Sequence, residues 1–222
     1  MKHICIDFEG VGKSRNSEVS PFPTMLGALV PSERGRPKYH AWFFDEAFAP
    51  ICRSTSCVGL REVLDFHTLA RQLVLLAEDH RCGLVHYSPH EARILKDHLG
   101  RRDWNRIRPK LFNIKPLAVK ILNRRGRSSG DKTLEDVMTG LRPRCAYPPP
   151  PQPSTAQTCR DLLATGQRCS RWRSWPERRK TQAMQLLAYN KGDCDSVRRL
   201  INIVSYNEGE DWTESPRVQA DD

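Results

Sequence analysis

The sequence predicts an α/β protein built on a sheet of mixed pairing, and two observations carry that prediction. Three strand-patterned segments come first, separated by short spacers rich in Pro, Gly and Ser. Helix and strand patterns then alternate until a long helical pattern closes the chain. At 222 residues the chain is long enough for one substantial core. The strand-forming segments are Lys2–Phe8, Thr24–Val30 and Tyr39–Phe44, and their short connections predict an antiparallel meander. In the first segment His3, Cys5, Asp7 and Glu9 fall on one face, and Ile4, Ile6 and Phe8 on the other. A strand that serves both faces in this way belongs in the middle of the sheet.

A helix is predicted over Leu60–Asp79, where Leu64, Leu69, Leu73 and Leu76 recur at helical spacing. Gly83–Tyr87 reads as a short buried strand. Ser88-Pro89-His90-Glu91 then opens a helix to Leu99, with the spacing of a capping box and Pro at the first helical position. Further helices are predicted over Lys115–Leu122 and Leu134–Leu141. Pro143–Pro153 is too rich in proline for regular structure. A helix from Thr181 to Ile203 completes one domain over 1–206, with 143–180 as a Pro-rich and basic insertion. Residues 207–222 form an acidic tail expected to be disordered.

The formal charge of +10 points to a polyanionic partner, most simply nucleic acid. Two runs concentrate it. Arg101–Arg127 carries ten Lys/Arg against one acid, and Arg168–Lys180 carries six against one. No apolar run could span a bilayer, and the N-terminus enters a strand at once, so a cytoplasmic protein without a signal peptide is expected. Eight cysteines without a secretion signal are expected to be reduced thiols. Cys52/Cys57 and Cys159/Cys169 approach zinc-ligand spacing but lack a knuckle or a matching His pair.

The stretch ICIDFEGVGKS, residues 4–14, admits two readings. Its tail suggests a phosphate-binding loop, but the first glycine of such a loop would fall at position 7, which is Asp7. A carboxylate there would repel phosphate. Its head places Asp7 and Glu9 on one side of a strand, about 7 Å apart. Either the pair is a solvated acidic turn ending at Gly10, or a divalent cation converts its repulsion into coordination. GVGKS is then the following turn, from which Lys13 could reach a phosphate.

The closing helix contains LLAYNKGDCDSVRRLI. Tyr189 and Asp193 lie four apart and share a face, with Asn190 flanking it. Gly192 costs about 1 kcal/mol in a helix interior relative to Ala, and is tolerable where something must approach the backbone.

Asp-x-Glu on the first strand with Tyr-x3-Asp on a late helix resembles the DEDD exonucleases, an RNase H-like group that uses two metal ions. YNKGDCDSV is also similar to a bacterial branch of predicted nucleases with Tyr-Asn-x-x-Asp-Cys on that helix. A Trp-containing basic segment such as RWRSWPERR precedes it in that branch. The resemblance implies an RNase H-like fold and a metal-dependent nuclease, in the 3′–5′ exonuclease form, with two Mg2+ or Mn2+ ions. It implies that Asp7 bridges the ions, that Glu9 and Asp193 ligate one each, and that Tyr189 orients or deprotonates the attacking water. The remaining acid is matched by Glu91 in VHYSPHEARIL, where many relatives have Asp in an Asn-x-x-Phe-Asp context. The basic runs, through Lys13, Arg124, Arg125, Arg127, Arg171 and Arg173, would hold DNA or RNA backbone. Trp172 and Trp175 would stack on unpaired bases or pack beneath the Pro-rich loop. Two alternatives stand beside this reading: a nucleic-acid-binding module of the same fold without catalysis, and a structure-specific endonuclease.

Overall fold

The computed structural model describes residues 3–12, 19–32, 35–55, 57, 59–126, 132–142 and 147–209. Six strands form one sheet: β1 Ile4–Gly10, β2 Pro23–Val30, β3 Lys38–Phe43, β4 Leu60–Val63, β5 Leu84–His86 and β6 Leu111–Asn113. Their order is β4-β3-β2-β1-β5-β6. β1, β2 and β3 pair antiparallel, as the short spacers predict. β5 pairs parallel to β1, and β6 parallel to β5. β1 therefore lies inside the sheet, where the antiparallel half meets the parallel half.

The alternation along β1 divides the core in two. Ile4, Ile6 and Phe8 pack with residues of α2 (Phe66–Asp79) and α3 (Pro89–His98) on one face. Cys5 faces the opposite cluster. That cluster is built from α5 (Lys115–Arg124), α6 (Leu134–Leu141), α7 (Thr155–Arg168) and α8 (Glu177–Glu208). α8, 32 residues long, packs against β1 and β2. It ends at Glu208, past the domain boundary placed at 206; most of the acidic tail, 210–222, lies outside the described residues.

Several elements differ from the sequence expectation, among them β6, a three-residue strand at Leu111–Asn113 that the sequence reading did not include. Leu60–Asp79 is not one helix: Leu60–Val63 pairs parallel to β3 as an edge strand. Asp65 then caps α2 by accepting from the Thr68 amide at 2.9 Å. Four residues are too few for periodicity to separate strand from helix, and the pairing partner is distant in sequence. The segment 143–180 is not simply an insertion, because it contains α7, whose Cys159 and Leu162 are fully buried. α7 packs tightly because Gly166 has no Cβ; one there would lie 1.8 Å from the Ala47 carbonyl oxygen. Leading into α7, 147–154 is irregular, as its prolines require. Two short helices, α1 (Ala49–Cys52) and α4 (Arg101–Ile107), complete the set and lay outside the expected elements. Among the described residues, no helix is long and apolar enough to cross a membrane.

Candidate functional site

Asp7 and Glu9 leave the same face of β1 near its C-terminal end, and α8 crosses that face with Asp193 pointing back at them. One ligand atom from each of Asp7, Glu9 and Asp193 lies within 4.8 Å of the others, so the group could hold a metal ion. Asp193 is 7% exposed, while Asp7 and Glu9 keep partial solvent contact. Burial, and then the neighbouring carboxylates, push all three carboxyls upward. Asp7 rises well above the usual carboxylate range. Glu9 is pushed up to about 8, and Asp193 to about 7. Hydrogen bonds from Asn190 and Asp7 to Glu9, and from Tyr147 and Tyr189 to Asp193, offset part of the rise. Such a cluster holds protons at neutral pH unless a cation replaces them.

Asn190 fixes this geometry. Its amide nitrogen donates to the Asp7 backbone carbonyl at 3.1 Å and to the Asp7 carboxylate at 2.7 Å. Its own oxygen accepts from the Tyr39 hydroxyl at 2.7 Å. The side chain fits because residue 27, paired with Asp7 on β2, is glycine. A Cβ there would stand 1.6 Å from Asn190 Oδ1. Asn190 is completely buried, so it is a central member of the site and not merely a flanking residue.

No family model, curated protein or solved structure matches the chain. Its chemistry is therefore read from these side chains.

Glu91 is placed differently from the other three acids. It is buried at the start of α3, and its Oε2 accepts from the Ser88 amide at 3.2 Å and the Ser88 hydroxyl at 2.8 Å. This is the capping box that its spacing predicts. His86 lies 3.5 Å from the same oxygen. Burial raises the Glu91 carboxyl, but the hydrogen bond and charge of His86, with Ser88, outweigh it and hold the group below its ordinary value. Glu91 is outside the three-carboxylate group, yet its charge raises the proton affinity of Asp7, Glu9 and Asp193.

Two tyrosines border Asp193. Tyr189 is half-buried; burial, then the charges of Asp193, Glu9 and Asp7, push its phenol above the ordinary value. It therefore keeps its proton and serves as a donor toward Asp193 rather than as a base. Tyr147, from the segment before α7, donates its hydroxyl to Asp193 Oδ1. Its ring meets that of Tyr189 edge-on at 6.4 Å. The adjoining Pro148 explains Gly192: a Cβ on the helix there would lie 2.1 Å from the Pro148 ring.

The sequence reading did not include Tyr39, Tyr147 or Gly27. Gly27 carried a usable signal, because a glycine inside an apolar strand marks a close approach by other atoms. Tyr39 and Tyr147 had none, since their partner lies on a distant helix.

The expected nucleic-acid contacts are scattered. Arg124 is paired with Glu208 at 2.6 Å, alongside Lys120 at 2.9 Å. Arg125, Arg171 and Arg173 are exposed. Trp172 is partly buried against the core and 5.3 Å from Trp175. Trp175 is buried and donates its indole N–H to the Cys169 carbonyl, so it packs and is not available for base stacking. Lys13 and Arg127 lie outside the described residues.

Proposed function

We propose that this chain is a metal-dependent nuclease of the RNase H-like DEDD type, hydrolysing phosphodiester bonds of DNA or RNA as a 3′–5′ exonuclease. The observation that carries the reading is the meeting of Asp7, Glu9 and Asp193 within 4.8 Å. Burial raises the proton affinity of all three carboxyls and the charge of Asp193 adds to it at Asp7 and Glu9, and a hard divalent cation is the partner that their oxygens favour. The donor set therefore fits Mg2+ or Mn2+. The fold class supports the same reading, with three antiparallel strands followed by parallel strands reached through helices.

In this proposal Asp7, Glu9 and Asp193 would hold the first ion. Glu91 would serve a second through the carboxylate oxygen that Ser88 and His86 do not engage. Bound divalent cations supply charge stabilisation for the attacking and leaving oxygens. Asn190 keeps Asp7 in one orientation by bonding both its carboxylate and its backbone. Tyr189 holds its proton and orients the attacking water. Exposed Arg171 and Arg173 hold phosphates without reading sequence.

The capping role of Glu91 favours a second reading, a module of the same fold that binds nucleic acid without cleaving it. One experiment separates the two. Parent and Asp7→Asn are titrated with Mn2+ by calorimetry. Both are then incubated with Mn2+ and end-labelled DNA, RNA and a circular single strand. The nuclease reading expects metal binding and stepwise loss of linear substrate in the parent alone. Binding without cleavage points to the module. Cleavage of the circle replaces the exonuclease with an endonuclease.

A further inference from the structure

The segment leading into α7 crosses the candidate site at Tyr147 and Pro148. At its far end it is pinned to α8, where the Gln182 amide donates to the Gln152 carbonyl at 3.2 Å. At its near end the Tyr147 hydroxyl donates to Asp193 Oδ1, and Pro148 lies against bare backbone at Gly192. Two independent features thus bring this strap to the same turn of α8: a hydrogen bond, and a position kept free of a Cβ. Glycine is among the poorest helix formers, so its presence in the middle of a long helix answers to this contact.

The chemistry of the contact is competitive. A phenol donates a proton to lone pairs that an acceptor would otherwise offer to a cation. A hydroxyl hydrogen and a cation drawn to the same carboxylate oxygen compete for its lone pairs. We propose that Tyr147 gates the site: its hydroxyl and a divalent cation compete for Asp193 Oδ1, and the Tyr147–Pro148 strap lifts when the cation takes that oxygen. The proposal rests on the reading of Asp7, Glu9 and Asp193 as cation ligands.

The sign of one measurement decides between this gate and its opposite. If Tyr147 instead orients Asp193 as a metal ligand, removing the hydroxyl weakens metal binding, as loss of a supporting hydrogen bond does. If Tyr147 competes, removing it tightens binding. The probe is Mn2+ alone, titrated by calorimetry into the parent, Tyr147→Phe and Gly192→Ala, with circular dichroism to confirm that each is folded. Tyr147→Phe is expected to lower the Mn2+ Kd by about tenfold, the scale of one hydrogen bond to a charged group. Gly192→Ala leaves the hydroxyl intact but excludes Pro148, and is expected to shift Kd in the same direction. A Kd unchanged or raised in Tyr147→Phe overturns the gate while leaving the metal site standing. Absence of Mn2+ binding in both the parent and Tyr147→Phe removes the metal site and the gate together. Binding in Tyr147→Phe alone supports both.

Discussion

Replacing Gly27 with Ala tests whether the site is assembled through Asn190. The added methyl would stand 1.6 Å from Asn190 Oδ1, 2.7 Å from its Cγ and 3.0 Å from the Tyr39 hydroxyl. To restore even a 3.0 Å contact, the amide oxygen must retreat by about 1.4 Å. A shift of that size breaks its bond from Tyr39 and pulls the amide nitrogen away from both Asp7 oxygens. Overpacking of this kind costs about 1–3 kcal/mol. Each hydrogen bond lost adds about 0.5–1.5 kcal/mol. With part of the network re-forming, a loss of about 3–5 kcal/mol is expected. In a chain of this length that lowers the Tm by roughly 10 °C. Urea denaturation of a double-mutant cycle provides the assay. In an Asn190→Ala background the obstructing amide is gone, so Gly27→Ala should cost less than about 1 kcal/mol. The same cost in both backgrounds would refute the reasoning, since the methyl would then clash with something other than Asn190. Mn2+ affinity should fall in Gly27→Ala as well, because Asp7 loses the group that orients it.

Three further outcomes are expected. Without metal, stability should fall between about pH 5 and pH 8.5: the folded carboxyls of Glu9, at about 8, and Asp193, at about 7, lie above their unfolded values, so the folded state favours their protons. That contribution is complete below the unfolded values and is lost as pH rises through the folded ones. Urea midpoints in EDTA check the slope, and excess Mn2+ should flatten it. In single-turnover cleavage at saturating Mn2+, Tyr189→Phe should lower the rate by about 100-fold or more. It should cost no more than about 1 kcal/mol of stability; a rate within about threefold of the parent removes Tyr189 from the mechanism. Reversing Arg171 and Arg173 to Glu should reduce the salt slope of nucleic-acid binding by about 1 per lost phosphate contact. Arg124→Glu should weaken binding less, because its guanidinium is already neutralised by Glu208.

Much of the frame was legible from residue spacing. Period 2 along ICIDFEG separated the Ile4, Ile6 and Phe8 face from the Asp7 and Glu9 face, and both faces are built as read. Ser88-x-x-Glu91 announced its capping box, and α3 opens on that use of the carboxylate. Tyr-x3-Asp placed Tyr189 and Asp193 one helical turn apart. These features depend on neighbours in the chain, where backbone geometry alone sets what can meet. The strand at Leu60–Val63 and the buried helix Thr155–Arg168 were not legible. Each exists because of a partner far along the sequence, β3 for the first and the Ala47 backbone for the second.

By itself the sequence determined which residues could bind a cation and on which face of each element they stand. It also marked Gly192 as a place where something must come close; Gly27 went unread although its place inside an apolar strand carried the same signal. Only the tertiary structure decided what comes close. Asn190 enters over Gly27 to hold Asp7, and Pro148 lies on Gly192 to carry Tyr147 onto Asp193. The physical reason is distance along the chain. Asp7 and Asn190 are separated by 183 positions, and no local periodicity records a contact that the packing of one long helix across a sheet creates.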